Sequence, residues 1–115
     1  MMETSVPLDQ ELSARRAKLF RGLSEPSRLR ILQALSKGPL TVSEIAKRTG
    51  LTQPNTSNHL ACMLGCGLVA REPKGRFAYY RHADESVSAL LSIADRVISH
   101  TSRNIVECPH CGTTL

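Results

Sequence analysis

The sequence contains no tryptophan, and its aromatic side chains are limited to two phenylalanines and two tyrosines in 115 residues. A hydrophobic core must therefore be built from leucine, isoleucine, valine and alanine. No apolar run approaches the ~18 residues that a membrane-spanning helix requires. Residues 1–10 also lack the apolar segment of a secretory signal peptide. We therefore expect no membrane-spanning segment and predict a cytoplasmic protein.

The length of the chain and the placement of its histidines argue against catalysis. A chain of 115 residues is about one domain, which is too short for a Rossmann or barrel enzyme. The four histidines are scattered and form no set of nucleophile, base and orienting residue. We therefore predict that the protein is not an enzyme. Its core must be modest in size, and dimerisation is a simple way to enlarge it.

The charge is unbalanced towards basic residues. Lysine and arginine together number 15 against 10 acidic residues, which gives a formal net charge of +5. In a small domain such an excess favours a polyanionic partner, most often nucleic acid. The alternative is a mildly basic surface that only improves solubility, and the charge alone does not decide between the two.

Apolar periodicity and capping residues predict a mainly α protein with a small β-hairpin. Helices are expected over residues 8–23, 24–37, 41–50, 52–66 and 84–103, and strands over residues 68–72 and 77–81. Ser24 is a plausible cap for the second helix, and Thr41 with Glu44 forms a capping box for the third. Residues 1–103 would then form one domain for DNA binding and dimerisation, followed by a flexible tail over residues 104–115.

The third and fourth helices are joined by a short turn at Gly50, which is the arrangement of a helix-turn-helix. Polar side chains that can bond to base edges and phosphates crowd the start of the fourth helix. These residues are Thr52, Gln53, Asn55, Thr56, Ser57, Asn58 and His59. The hairpin that follows is basic, with Arg71, Lys74 and Arg76 as candidate DNA contacts. The alternative is a solvated helix face beside a hairpin that only closes the core.

Several segments resemble the ArsR/SmtB family of repressors. They are residues 23–32 and 51–60, then Gly67-Leu68-Val69, Gly75-Arg76 and Tyr79-Tyr80, and the resemblance spans roughly residues 12–100. It implies a dimeric winged helix-turn-helix repressor that leaves its operator when a metal or metalloid ion binds. Ser57 and His59 match recognition-helix positions of the family, whereas Pro54 and Asn55 replace more usual residues, so base preference is not carried over.

Apolar positions on the first and last helices fit a homodimer interface. They are Leu12, Leu19, Leu23, Val87, Leu90, Leu91, Ala94, Val97 and Ile98. One chain of this length cannot cover the last helix by itself, so we expect a second copy to do so. The alternative is a purely intramolecular core.

All four cysteines fall into two pairs with the spacing of metal ligands. Cys62 and Cys66 lie one helical turn apart, and Cys108 and Cys111 form a C-x-x-C in the tail. Thiolates select soft or borderline ions. The alternatives are small core residues for the first pair and, for the second, a disordered end or half of a zinc ribbon. Disulfides within either pair would instead make a thiol-redox switch.

Among the site types of the family, the resemblance favours the cadmium/lead-sensing one. A Cys-x-x-x-Cys at the end of the recognition helix, directly before Gly-Leu-Val, matches Cys62 and Cys66. The family's site on the last helices is not reproduced, because Val97 stands where a histidine is needed. The resemblance implies that the tail of the other protomer adds a thiolate, for which Cys108 is the natural candidate. Cys111 would make the site a tetrathiolate that also suits Zn²⁺, and an arsenite or antimonite sensor would use three of the same thiols.

Overall fold

A computed structural model of the chain describes residues 8–107. Five α-helices and one β-hairpin follow each other in this part of the chain, as the sequence predicts. They are α1 (Leu8–Leu23), α2 (Pro26–Ala34), α3 (Val42–Thr49), α4 (Gln53–Gly65), β1 (Val69–Lys74), β2 (Phe77–His82) and α5 (Glu85–Glu107), with a 3₁₀ turn at Leu35–Lys37 after α2. The protein has the winged helix-turn-helix fold: α3 and α4 form the helix pair, and the hairpin forms the wing.

The predicted cap of α2 is wrong by one residue. Glu25, not Ser24, is the N-cap: its carboxylate accepts hydrogen bonds from the backbone N–H groups of Ser27 at 2.7 Å and Arg28 at 3.2 Å. The hydroxyl of Ser24 instead donates to the carbonyl oxygen of Arg21 at 2.9 Å, which ends α1. Ser24 therefore belongs to the end of one helix and Glu25 to the start of the next.

The turn between α3 and α4 is fixed by local chemistry. Thr41 and Glu44 form the predicted capping box, with the Glu44 N–H donating to the Thr41 hydroxyl at 3.2 Å and the Thr41 N–H donating to the Glu44 carboxylate at 2.9 Å. Gly50 ends α3 with φ of +78°, a left-handed conformation that side chains disfavour. Thr52 caps α4 two residues later. The backbone between α3 and α4 therefore has little conformational freedom.

The hairpin is antiparallel, with Val69 opposite His82 and Lys74 opposite Phe77. Its loop is shorter than predicted, because β1 continues through Pro73 and Lys74 and leaves only Gly75 and Arg76 between the strands. The segment before α3 joins the sheet at one position, where Leu40 and Tyr80 exchange backbone hydrogen bonds of 3.0 and 2.8 Å. The base of the hairpin is thus fixed to the helix-turn-helix.

The core is aliphatic, as the shortage of aromatic residues requires. Its fully buried side chains come from α2, α3 and α4, and the largest of them are Ile31, Leu32, Ile45, Leu60, Met63 and Thr56. On α4 the buried residues Thr56, Leu60 and Met63 follow helical spacing and form one stripe. That stripe turns the other face of α4 towards solvent.

The chain divides into two compact units, one ending at Ala83 and the other beginning at Asp84. In the second unit α5 continues to Glu107, beyond the predicted helix end at Arg103, and Cys108 and Cys111 lie outside the described residues. Val97 and Ile98 on α5 are about half exposed. No helix in the described part of the chain is long and apolar enough to cross a membrane.

Two of the residues predicted for a dimer interface are already buried within one protomer. Leu23 is 9% exposed and Val87 is 7% exposed in the single chain. Both side chains are therefore covered for the most part by their own chain, and their contact with a partner stays a prediction. Leu12, Ala94, Val97 and Ile98 remain exposed, while Leu19, Leu90 and Leu91 are half-buried.

We predict that truncating the buried stripe of α4 destabilises the fold. Leu60→Ala removes a side chain with no exposed surface and is expected to lower the free energy of unfolding by about 2–5 kcal/mol. Leu64→Ala on the same helix is the matched control, because Leu64 is 40% exposed. Urea unfolding followed by circular dichroism measures both, and equal losses would contradict the placement of this stripe in the core.

Candidate nucleic-acid interface and thiolate pair

The first turns of α4 present amide and hydroxyl groups to solvent. Thr52 accepts a hydrogen bond from the Asn55 N–H at 3.1 Å, which fixes the start of the helix. The side chains of Gln53, Asn55, Ser57 and Asn58 are exposed. Since each can donate or accept hydrogen bonds, they form a polar surface of the kind that reads base edges in a major groove.

Gln53 has a second role that its sequence position does not reveal. Its side-chain amide donates to the hydroxyl of Ser43 on α3 at 2.7 Å. The bond links the two helices at the end where the polar surface lies, and it leaves the amide oxygen of Gln53 available as an acceptor. Gln53 therefore orients α4 as well as being exposed on it.

Thr56 does not belong to this surface, which corrects its prediction as a DNA contact. Its side chain is fully buried, and its hydroxyl donates to the carbonyl oxygen of Thr52 at 2.8 Å. A threonine hydroxyl that bonds to its own helix is satisfied without leaving the core. The polar run in the sequence includes Thr56, but helical periodicity places it on the opposite side from Asn55 and Asn58.

His59 is also turned inwards, although less completely. Its side chain is 22% exposed, and its Nε2 lies 4.0 Å from the carboxylate of Glu25. This contact joins α4 to the start of α2, and it was not expected from the sequence. His59 therefore lies behind the exposed polar surface and is better placed to position α4 than to read a base.

Glu25 is held in its ionised form by several neighbours. Desolvation raises the pKa of its carboxyl group, but hydrogen bonds from the backbone of Arg28 and Ser27 and the nearby charges of His59 and Arg28 lower it, and the net shift is downward. The ionised carboxylate thus serves both as the helix cap and as the partner of His59. The signal that could have revealed this role is an acidic residue directly before Pro26 at the first helical position.

The hairpin is basic and largely exposed beyond its first residues. The predicted contacts Arg71, Lys74 and Arg76 are all exposed. Lys74 extends over the ring of Tyr79, with its Nζ at 6.0 Å from the ring centroid. The candidate phosphate-binding groups therefore run along the first strand and the loop, from Arg71 opposite Tyr80 near the base to Arg76 at the tip.

Cys62 and Cys66 are free thiols, and both are exposed. Cys62 lies in the last turn of α4 and Cys66 is its C-cap, with the Cys66 N–H donating to the Cys62 carbonyl oxygen at 3.1 Å. The helical turn thus continues through both residues, which places their Cβ atoms about 5–6 Å apart. One ion with metal–sulfur bonds near ~2.3 Å can join two thiolates at this spacing.

A cavity of ≈ 310 Å³ opens beside Cys66, between the end of α4 and α1. Its other lining residues are Arg15, Lys18, Leu19 and Gly65. Both basic side chains lie near the thiol, although Arg15 is also paired with the carboxylate of Glu11 at 3.3 Å. Within residues 8–107, however, no three His, Cys, Asp or Glu side chains are grouped so that they could hold a metal ion.

The structure therefore brings together two of the four predicted metal ligands. Cys108 and Cys111 lie outside the described residues, so their placement relative to Cys62 and Cys66 stays a prediction. A thiolate pair alone does not complete a typical trigonal or tetrahedral site, which needs further ligands.

Comparison with known proteins places this arrangement in a regulatory family. Residues 25–71, which include α2 to α4, match the model of the bacterial regulatory protein arsR family. The HTH-type transcriptional regulator CmtR of Mycobacterium tuberculosis is 42% identical over 82 residues, which are 71% of this chain and 70% of the relative. A probable mercury resistance operon repressor of Streptomyces lividans is 33% identical over 92 residues, 80% of this chain and 73% of the relative.

A solved structure with the same fold is a winged helix-turn-helix DNA-binding domain from Mycobacterium bovis. It is homodimeric and is described as a possible ArsR-family transcriptional regulator. It superimposes with a TM-score of 0.75 at 28% identity and covers 89% of this chain and 94% of its own. The similarity thus extends beyond the helix-turn-helix to most of the chain.

We predict that the stabilising effect of Glu25 depends on pH. Because the folded-state pKa of Glu25 is lowered, its stabilising contribution is present above the ordinary pKa of a glutamate and is lost as the pH falls through the lower folded-state value. Glu25→Ala should therefore lower the melting temperature at neutral pH, and its difference from wild type should shrink in acid. Thermal melts of both proteins across this range test the expectation, with Glu25→Gln as an uncharged cap. A difference that is independent of pH would contradict it.

Proposed function

The chain belongs to the ArsR family of bacterial transcriptional regulators, which are DNA-binding proteins and not enzymes, and from this premise we propose a cytoplasmic repressor that binds operator DNA as a homodimer and is released by a soft metal ion. The observation that carries the proposal is the position of Cys62 and Cys66. Both thiols are exposed and free, and they lie at the end of the helix whose start presents the polar surface.

The DNA-binding part of the proposal rests on two surfaces of one unit. Gln53, Asn55, Ser57 and Asn58 are the exposed groups of α4 that would meet base edges and phosphates in the major groove. Arg71, Lys74 and Arg76 would contact phosphates from the wing. In this scheme Thr56 supports the helix from the core, and His59 supports it through Glu25.

The homodimer is proposed from exposed apolar side chains and from the homodimeric relative. Val97 and Ile98 expose about half of their surface on α5, and Leu12 exposes 40% on α1. Covering such side chains with a second copy would remove apolar surface from water. A two-fold dimer also matches the symmetry of an operator with two half-sites.

Cys62 and Cys66 would supply two thiolates of the metal site, and Cys108 with or without Cys111 would complete it. The donor set fits a soft or borderline ion, because thiolate is the ligand that such ions prefer. A complex of a divalent ion with three or four thiolates carries negative charge, which Arg15 and Lys18 beside Cys66 would offset. The local chemistry is thus suited to thiolate coordination rather than to a carboxylate-bound ion.

Release of the operator would follow from the shared helix. About 8 residues separate Asn58 from Cys66, which is ~12 Å along a helix axis. A pull on the last turn of α4 would therefore move its polar start as a rigid element. A coupling of ~1–3 kcal/mol would weaken DNA binding by ~5–150-fold.

We propose Cd²⁺ or Pb²⁺ as the effector, because Cys62 and Cys66 match the spacing of cadmium/lead-sensing members of the family. Zn²⁺ would be favoured if Cys111 makes the site a tetrathiolate. The relative from Streptomyces lividans is named for mercury resistance, so Hg²⁺ belongs in any panel of ions. If arsenite, or oxidation of the thiols, released the operator in place of Cd²⁺ or Pb²⁺, only the effector would change. The proposal for DNA binding would stay the same.

We predict that wing and helix variants differ in how they affect DNA binding. Arg76→Ala should weaken binding to operator and to random DNA alike, because it removes a phosphate contact. It should also reduce the slope of the logarithm of the binding constant against the logarithm of the salt concentration by about one unit. Asn58→Ala should cost ~1–3 kcal/mol on the operator with little effect on random DNA, because it removes a base contact. Fluorescence anisotropy titrations at several salt concentrations separate the two, and identical behaviour of both variants would refute the assignment of α4.

We predict that Cys62→Ser and Cys66→Ser keep dimerisation and operator binding but abolish release by Cd²⁺. Neither residue belongs to the polar surface at the start of α4, so only the ligand is lost. Ala61→Ser is the matched control, because it adds the same hydroxyl at an exposed neighbouring position. Thiolate-to-metal charge-transfer absorption, measured together with operator release, reports on both steps.

The tail is tested by its own variants with the same two measurements. Cys108→Ser should behave like Cys62→Ser, whereas Cys111→Ser should stay inducible in a trigonal site and lose most of its response to Zn²⁺ in a tetrathiolate. Normal release by Cd²⁺ after deletion of residues 104–115 would show that the tail takes no part in sensing.

A further inference from the structure

Phe77 is the most exposed large apolar side chain in the described part of the chain, with 58% of its surface accessible. It is the first residue of β2 and stands next to the two-residue loop of the hairpin. The sequence has only four aromatic residues, so one of them is placed at the tip of the wing rather than in the core. Single exposed apolar side chains are common on protein surfaces, so it is the place of Phe77 at the tip of a basic hairpin, together with its exposure, that distinguishes it.

The other exposed apolar side chains have different surroundings. Leu12 and Phe20 lie on α1, and Ile93, Val97 and Ile98 lie on α5, the helices that the proposed dimer would cover. Leu29 on α2 and Leu64 on α4 are also exposed, at 37% and 40%, well below the 58% of Phe77. Phe77 is the one member of this exposed set on the hairpin. A dimer formed through α1 and α5 would therefore not explain the exposure of Phe77.

The charges around Phe77 indicate what covers it. Residues 69–82 carry four basic side chains and a single acidic one, Glu72. Lys74 is directly opposite Phe77 in the sheet, and Arg76 precedes it in the loop. An ordinary apolar protein surface would have to desolvate these cations without compensation, whereas a polyanion gains from them. The partner of Phe77 must therefore combine dense negative charge with an accessible apolar surface.

Duplex DNA offers both in its minor groove, where the sugar faces and the base stack lie between two rows of phosphates. Resting on the proposed function, we propose that Phe77 enters the minor groove beside the recognition site and wedges against a deformable base step. Apolar wedges of this kind partially unstack a step and bend the duplex. Pyrimidine–purine steps yield most easily, so Phe77 would give the wing a sequence preference without a hydrogen bond to a base.

The shape of the tip is compatible with this role. Neighbouring strands lie about 4.8 Å apart, and the minor groove is about 6 Å wide, so only a slender loop can enter. Gly75 has no side chain, and its φ of +64° makes the tight turn. Lys74 and Arg76 on either side of it would meet the phosphates of the two groove walls while Phe77 reaches the stack.

The base of the hairpin can transmit this contact to the rest of the domain. The reciprocal hydrogen bonds between Leu40 and Tyr80 and the bond from the Ala83 N–H to the Leu68 carbonyl oxygen at 3.0 Å fix the strands at the end away from the tip. A wedge mounted on a loose arm would lose its position, whereas this one is held by backbone bonds in the same unit as α4. Phe77 would therefore select steps at a fixed distance from the major-groove site.

The experiment first uses the wild-type chain to select duplexes from a pool with a random core. The affinity of the wild-type chain for the selected duplex is then compared with that of Phe77→Ala. 2-Aminopurine, placed in turn at each flanking base step, reports unstacking by its fluorescence, and dyes on the two duplex ends report bending. Phe77→Ala should bind the selected duplex about tenfold more weakly, as expected for the loss of one aromatic contact with the stack. The rise in 2-aminopurine fluorescence and the bend should disappear with it, while binding to random DNA stays nearly the same.

Two further variants keep the test specific. Phe77→Leu retains an apolar wedge and should preserve most of the bend. Arg76→Ala should bind both the selected duplex and random DNA more weakly, but its saturated complex should keep the 2-aminopurine signal. Thermal melts confirm that each variant folds. Wild-type levels of 2-aminopurine fluorescence and bending that persist in Phe77→Ala would overturn the inference. Failure of the wild-type chain to select any duplex would instead overturn the proposed function.

Discussion

The burial of one stripe of α4 is the constraint on which the rest of the domain depends. Thr56, Leu60 and Met63 are fully buried, and their burial decides the rotation of the helix about its own axis. Because the helix is regular, that rotation also decides which polar residues face outwards at its start and where the thiols lie at its end. A small aliphatic core thus sets the orientation of both candidate functional surfaces.

The same helix carries two kinds of chemistry at its two ends. Its first turns offer neutral hydrogen-bonding groups, and its end carries the thiols of Cys62 in the last turn and of Cys66 at the C-cap. The start is further held by Gln53 against Ser43 and by His59 near Glu25. A disturbance at the thiol end must therefore act against identifiable contacts at the other end, which gives the proposed coupling between metal and DNA a physical path.

Local signals in the sequence predict most of this fold. The capping box at Thr41 and the glycine at position 50 act within a few residues, and the structure confirms both. Ser24 and Glu25 are both capable caps, and the choice between them depends on where α1 ends, which local pattern does not reveal. The polar neighbours of Thr56 favour an exposed position, whereas its helical spacing from Leu60 and Met63 places it on the buried face.

The candidate site is predictable where its chemistry depends on spacing. Cys62 and Cys66 are recognisable as a pair because four residues on a helix make one turn, and their exposure supports that interpretation. The contact between Glu25 and His59 joins distant parts of the sequence, so only the packing of α2 against α4 reveals it. For the same reason the exposure of Phe77 could not be read from a strand pattern in which an aromatic residue is ordinarily buried.

The joint between Leu40 and Tyr80 has a consequence for how this domain can change over generations. It is made of main-chain groups on both sides, so its strength does not depend on which side chains the hairpin carries. Substitutions at the tip can accumulate without loosening the attachment. The wing is therefore free to acquire new operator preferences while the scaffold that presents it stays the same.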